Sequence, residues 1–101
     1  MIMIRHIVSW NFNDGLTDEE NRENEQKMKD GLERLKDIID GIHELIVRID
    51  LLDTSNRTVV MNSLFESEKH LVDYQVHPKH VAVSRFIGSV MKERTCVDYH
   101  E

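Results

Sequence analysis

From Ile2 to Phe12 the chain alternates: Ile2, Ile4, His6, Val8, Trp10 and Phe12 fall on one side, and Met3, Arg5, Ile7, Ser9 and Asn11 on the other. That two-residue period predicts a strand with one rich apolar face. Asn13-Asp14-Gly15 forms a turn, and Thr17 followed three positions later by Glu20 has the capping-box arrangement, which satisfies free backbone donors at a helix start. The predicted helix runs from near Thr17 to near Asp40. Its first turns, Asp18 to Lys27, carry no apolar side chain and should project into water. Met28, Leu32, Leu35 and Ile39 then follow at spacings of four, three and four, so only the later half is expected to dock. Gly41 stands where a left-handed helix terminator belongs.

A second alternation sets His43, Leu45, Val47, Ile49 and Leu51 against Ile42, Glu44, Ile46, Arg48 and Asp50, and predicts a strand ending at the turn Asp53-Thr54-Ser55-Asn56. Thr58 to Phe65 reads as its hairpin partner. Ser67 can cap a short helix through Leu71 and Tyr74. Pro78 restricts His77 and suits the first turn of a new helix, so the second helical region breaks at His77-Pro78. Val83, Phe86, Ile87, Val90 and Met91 continue it, and Glu93 to His100, with Thr95, Val97 and Tyr99 on one side, reads as a final short strand. The order β-α-β-β-α-β is the α+β, ferredoxin-like plan, one antiparallel sheet with two helices on one side. Its helix-free face would carry Met3, Ile7, Ile46, Val60 and Leu64, diluted by Arg5, Glu44 and Arg48. That is more apolar than a solvated sheet face, and a homodimer pairing two such sheets is expected.

Composition narrows the partners. At 101 residues the chain is expected to be a single domain, residues 1–101. Lys plus Arg number 13 against 19 Asp plus Glu, a net charge of −6 with no basic cluster, which disfavours a nucleic-acid partner. A lone cysteine, Cys96, forms no internal disulfide and fits a reducing compartment. The amino terminus lacks the basic start and long apolar stretch of an export signal, and no apolar run approaches the ~18 residues of a membrane span. A cytoplasmic protein with no membrane partner is the expectation.

Histidine is the first class of side chain to weigh for chemistry, because its ordinary pKa lies near neutrality. His43, His70 and His100 read as surface or structural residues. His6 falls among Ile4, Val8 and Trp10 on the face that meets the helices, where a polar ring needs a partner. It is either a satisfied core histidine or a polar group in a ligand cavity. In Tyr74-Gln75-Val76-His77-Pro78-Lys79-His80, a phenol and two imidazoles surround an enforced helix break. A phenol and an imidazole facing one cavity could polarise a carbonyl and remove a proton from the adjacent carbon. In the alternative, Tyr74 packs and His77 caps the following helix. His77 and His80 lack an obvious third ligand, and no metal site is expected. Phosphate-loop, nucleophile-elbow and zinc-protease signatures are missing. Cys96 reads as a small buried or edge residue, and Met28, Met61 and Met91 as core residues able to line an adaptable apolar space.

Arg5-His6-Ile7-Val8, Phe65-Glu66-Ser67, Tyr74, His77-Pro78 and His80 together resemble the stress-responsive A/B barrel domain family, Dabb, over nearly the entire chain. The resemblance implies a ferredoxin-like protomer whose sheet pairs with its twin to form a dimeric α+β barrel. A plant polyketide cyclase of that family performs an intramolecular aldol condensation without a cofactor. By similarity to it, His80 would be the general base, Tyr74 the hydrogen-bond donor to a carbonyl or enolate, and His6 a polar group of the pocket. Val8, Trp10, Met28, Leu32, Met61 and Met91 would line the cavity between sheet and helices. The cyclase has a further pocket histidine where Val59 stands here, and aromatic residues where Met28 and Leu32 stand. Some relatives hold a magnesium ion on carbonyls at the end of the first helix, here near Lys36, Ile39 and Ile42; no cofactor is expected. The functional expectation is an internal small-molecule pocket with cofactor-independent acid/base chemistry of cyclase or isomerase type. The alternative is a non-enzymatic stress-associated or small-ligand-binding protein.

Overall fold

The computed structural model describes residues 2–101. Its elements are β1 (Ile4–Phe12), α1 (Asp18–Ile38), β2 (Ile42–Arg48), β3 (Val59–Phe65), α2 (Glu68–Val76), α3 (Pro78–Val90) and β4 (Met91–His100). The strands form one antiparallel sheet in the order β2-β3-β1-β4, the ferredoxin-like arrangement the alternation predicts. Three boundaries differ. β1 starts at Ile4, leaving Ile2 exposed; β2 ends at Arg48; and Met91 begins β4 directly after α3 instead of closing the helix.

Local signals place the helices. Thr17 and Glu20 form the reciprocal capping box at the start of α1, Ser67 accepts from the His70 N–H at the start of α2, and the His77 side chain accepts from the Lys79 N–H at the start of α3, where Pro78 occupies the first position. The core between helices and sheet is built from Val8, Met28, Leu32, Leu35, Val47, Val59, Met61, Phe65 and their neighbours. β2 is an edge strand, and α1 covers it: Lys29 Nζ donates to the Val47 carbonyl at 2.7 Å, and the Val47 N–H donates to Glu33 at 3.0 Å. Those contacts occupy an edge that would otherwise be open to pairing with another chain.

Two expectations need correction. The first half of α1 does not project wholly into water, because Asn21 and Glu25 are buried. Arg22 lies over the Phe12 ring, 5.5 Å from its centre, and ion-pairs Glu25, so its apolar stem and charged head shield the polar pair beneath. His43 does not share the inner face with Leu45 and Val47. The β2–β3 register shifts between Ile42 and Glu44, and the extra residue turns Ile42 inward and leaves His43 exposed.

Gly41 has φ +86°, and a Cβ built there would lie 2.2 Å from His70 Cδ2 and 2.8 Å from His70 Cβ. The imidazole is held 2.7 Å from Ser67 Oγ. Gly41→Ala therefore combines a left-handed penalty with a steric clash, and is expected to cost about 2–4 kcal/mol. In a thermal melt this is a fall of roughly 10 °C or more for a domain of this size.

Candidate functional site

Tyr74 and His80 are six residues apart, so a continuous helix would set them roughly 120° apart around its axis, on different faces. The extended backbone at His77 (φ −64°, ψ 133°) and the missing N–H of Pro78 end α2 and restart α3 in a new direction. The break brings the two rings together, with centroids 4.2 Å apart. His80 Nδ1 lies 3.1 Å from the Gln75 carbonyl across the same break. A carbonyl can only accept, so Nδ1 carries the proton and the neutral ring keeps its lone pair on Nε2. Burial pushes the His80 pKa below its ordinary 6.5; the Gln75 hydrogen bond opposes that shift, and the charges of His6, Arg94 and His77 add to it. The imidazole is neutral at pH 7.

The Tyr74 hydroxyl is buried, and burial pushes its pKa well above the usual phenol value, with Arg94 weakly opposing. It stays a donor across the whole working range. Its protein partner is the Met61 sulfur at 3.9 Å, a weak acceptor, which leaves most of its donor capacity unspent.

His6 lies in β1 opposite Asp98 of β4, and the Asp98 carboxylate accepts from His6 Nδ1. This is the partner that a buried imidazole requires. The His6 ring stands edge-on to Phe65 and Tyr74, with centroids 5.9 and 6.3 Å away. Cys96 Sγ sits 3.7 Å from His6 Nδ1 and 3.6 Å from both Asp98 oxygens. Among the described residues these three form the one cluster with metal-ligating potential. Burial, reinforced by the Asp98 charge, holds the Cys96 thiol up, and its Sγ lies within hydrogen-bond reach of the Asp98 carboxylate beside His6.

One cavity of about 400 Å³ is bordered by His6, Val8, Trp10, Leu32, Met61, Tyr74, His80 and Met91, a volume within the usual range of small-molecule sites. Of the residues expected to line or act in the cavity, Met28 alone is outside this wall. It is completely buried in the core and reaches no cavity. His77 serves as a helix cap. The remaining wall, Ser84, Ile87 and Gly88 of α3 and Lys92, Glu93 and Arg94 of β4, escaped sequence reading. The face of β4 opposite Thr95, Val97 and Tyr99 carried the signal, since Arg94, Cys96 and Asp98 alternate there.

β4 departs from a regular strand at this point. Its register against β1 shifts between Ser9 and Asn11, and Glu93 adopts φ +55°, a left-handed conformation costing a non-glycine residue about 1–2 kcal/mol. The extra residue puts both Arg94 and Met91 on the cavity wall, although they are three apart and a regular strand would face them oppositely.

A larger, more open groove of about 810 Å³ runs between α1 and α3, with Lys27 Nζ 4.5 Å above the Phe86 ring. No histidine, cysteine or tyrosine borders it, so it has no group suited to proton transfer near neutrality. Lys36, Ile39 and Ile42 border a separate depression of about 330 Å³ with Asp37 and Asp40. Backbone carbonyls and carboxylates are the hard oxygen donors a magnesium ion takes, and none of these residues borders the His80 cavity. No helix among the described residues is long and apolar enough to cross a membrane.

A family model described as the stress-responsive A/B barrel domain, Dabb, matches residues 4–101. No curated protein matches the sequence. Among solved structures, a dimeric ferredoxin-like protein of unknown function from Bacteroides fragilis is 26% identical, with a TM-score of 0.91 over 98% of this chain and 96% of its own. A dimeric ferredoxin-like protein of unknown function from Thermobifida fusca is 24% identical, with a TM-score of 0.83 over 99% of this chain and 92% of its own. The hydroxynitrile lyase of Passiflora edulis shares the fold at 15% identity and a TM-score of 0.80, over 98% of this chain and 93% of its own.

Proposed function

Because the chain belongs to the stress-responsive A/B barrel domain family, we propose that it is a dimeric small-molecule enzyme performing cofactor-independent acid/base chemistry at a carbonyl compound. The observation that carries this reading is the convergence of Tyr74, His80 and His6 on one cavity. His80 Nε2 takes a proton from the carbon next to a substrate carbonyl, and the C–H electrons move into the enolate. The Tyr74 O–H donates to the oxygen on which charge develops, where a donor in a dry site has most effect. The proton returns from His80 to the same or another carbon, and an aldol-type cyclisation or an isomerisation follows from where the enolate carbon is directed. His6, oriented by Asp98, is the second polar contact of the cavity.

The test is deuterium exchange at the carbon beside the carbonyl of small ketones and keto acids, followed by proton NMR in D2O. Enzyme-dependent exchange supports the reading, and saturable binding without exchange supports the ligand-binding alternative. The pH profile has a defined sign. Because the His80 pKa is lowered, the base form persists below 6.5 and exchange is lost only as pH falls through that lowered value. The raised Tyr74 pKa keeps the donor protonated, so no descending limb is expected below pH 10.

Gly88 provides a steric control. A Cβ built there meets no heavy atom within 4 Å, and the residue borders the cavity on α3. Gly88→Leu is expected to hold or raise stability by about 1 kcal/mol through helix propensity, while weakening ligand binding by about tenfold or more. Melting curves and calorimetric titration read the two effects separately.

A further inference from the structure

Among the described residues, one cation at the cavity mouth has no ionic partner. Lys92 Nζ pairs with Asp14 at 2.8 Å and with Glu93 at 3.5 Å, and Glu93 is also engaged by Arg57 at 3.6 Å and by Asn11 at 3.2 Å. Asp98 is committed to His6. Arg94 borders the same cavity as an exposed side chain and, unlike Lys92 and Arg57, forms no ion pair among the described residues. Its guanidinium is close enough for its charge to act on Tyr74, His80 and Cys96. The β4 bulge, with its left-handed Glu93, lets the chain keep Arg94 and Met91 on one wall.

A guanidinium presents a planar fork of donors matched to a carboxylate, and Arg94, solvent-exposed at the mouth beside a neutral imidazole and a neutral phenol, is the charged group of the cavity wall with no ion pair among the described residues. We infer that the cavity takes a small organic acid, a keto acid whose carboxylate pairs with Arg94 while its carbonyl accepts from Tyr74 and its adjacent C–H faces His80. This rests on the acid/base reading of the cavity and adds the substrate class. Arg94 is the residue that selects an anion over its neutral analogue.

The probe pair is 3-benzoylpropanoate and its primary amide, equal in size and differing in charge, titrated calorimetrically into the full-length protein. The wild type is expected to bind the acid about tenfold or more tightly than the amide, a difference of about 1.4 kcal/mol. Arg94→Gln removes the charge and brings the two affinities within about twofold, and Arg94→Lys restores part of the preference. Equal binding of both probes by the wild type, an acid preference surviving in Arg94→Gln, or no detectable binding of the acid overturns the inference. His80→Gln separates the two claims. Acid preference retained there, with no α-proton exchange even in the wild type, leaves the anion site standing and removes the catalytic reading. Exchange present in the wild type with no preference for the acid does the reverse.

Discussion

His80→Ala is expected to reduce α-proton exchange by about 10²–10⁴-fold while changing ligand affinity little, because the imidazole moves a proton in the transition state and contributes less to ground-state binding. The neighbouring Tyr74→Phe isolates the other role. It keeps the ring packed against His80 and Phe65, at 4.2 and 4.9 Å between centroids, and deletes only the hydroxyl. Loss of one preorganised donor to a developing oxyanion is expected to lower exchange by about 10²-fold or more. Stability should move the other way or not at all. The hydroxyl is buried with only a thioether for a partner, so its removal relieves an under-satisfied polar group instead of breaking a strong bond. Wild-type exchange in His80→Ala, or a Tyr74→Phe protein that melts several degrees lower with unchanged exchange, would assign the pair to folding alone.

The parts of the site that were legible from sequence are those written in local signals. Pro78 announces the break that turns Tyr74 and His80 toward each other, and the β1 alternation puts His6 on the helix side. The parts that were hidden depend on pairing register. Asp98 meets His6 only because β4 runs antiparallel to β1 with those residues opposite, and nothing in either segment specifies that offset. Met91 shares the wall with Arg94 only through a bulge, and the exchange of His43 for Ile42 on the inner face has the same cause; one inserted residue inverts the sidedness of everything beyond it. Met28 shows a different limit. Helical spacing places it on the docking face, yet cannot say whether that face meets packed core or open space, and here it is packed core.

The helix-free face of the sheet supports the second large effect. Ile46, Val97 and Tyr99 are 44%, 57% and 47% exposed in the protomer, and Ile7, Val60 and Leu64 lie between them only partly covered. At one end Arg5 is held by Glu44, Asn62 and Glu101, and on the same face Ser9 pairs with Thr95. An apolar centre with polar groups around it is the anatomy of an interface. The Bacteroides fragilis and Thermobifida fusca relatives are described as dimeric, which accords with two such faces packing together. Val97→Asp tests the face directly. In a lone protomer the new carboxylate meets water, so the fold should tolerate it. In a two-fold interface it is introduced twice, and burying each charge unpaired costs several kcal/mol. Light scattering at micromolar concentration is expected to show a dimer for the wild type and a monomer for Val97→Asp. Val72→Asp, also highly exposed but on α2, should leave the dimer unchanged. A wild-type monomer, or a Val97→Asp dimer as tight as the wild type, would place the subunit contact elsewhere.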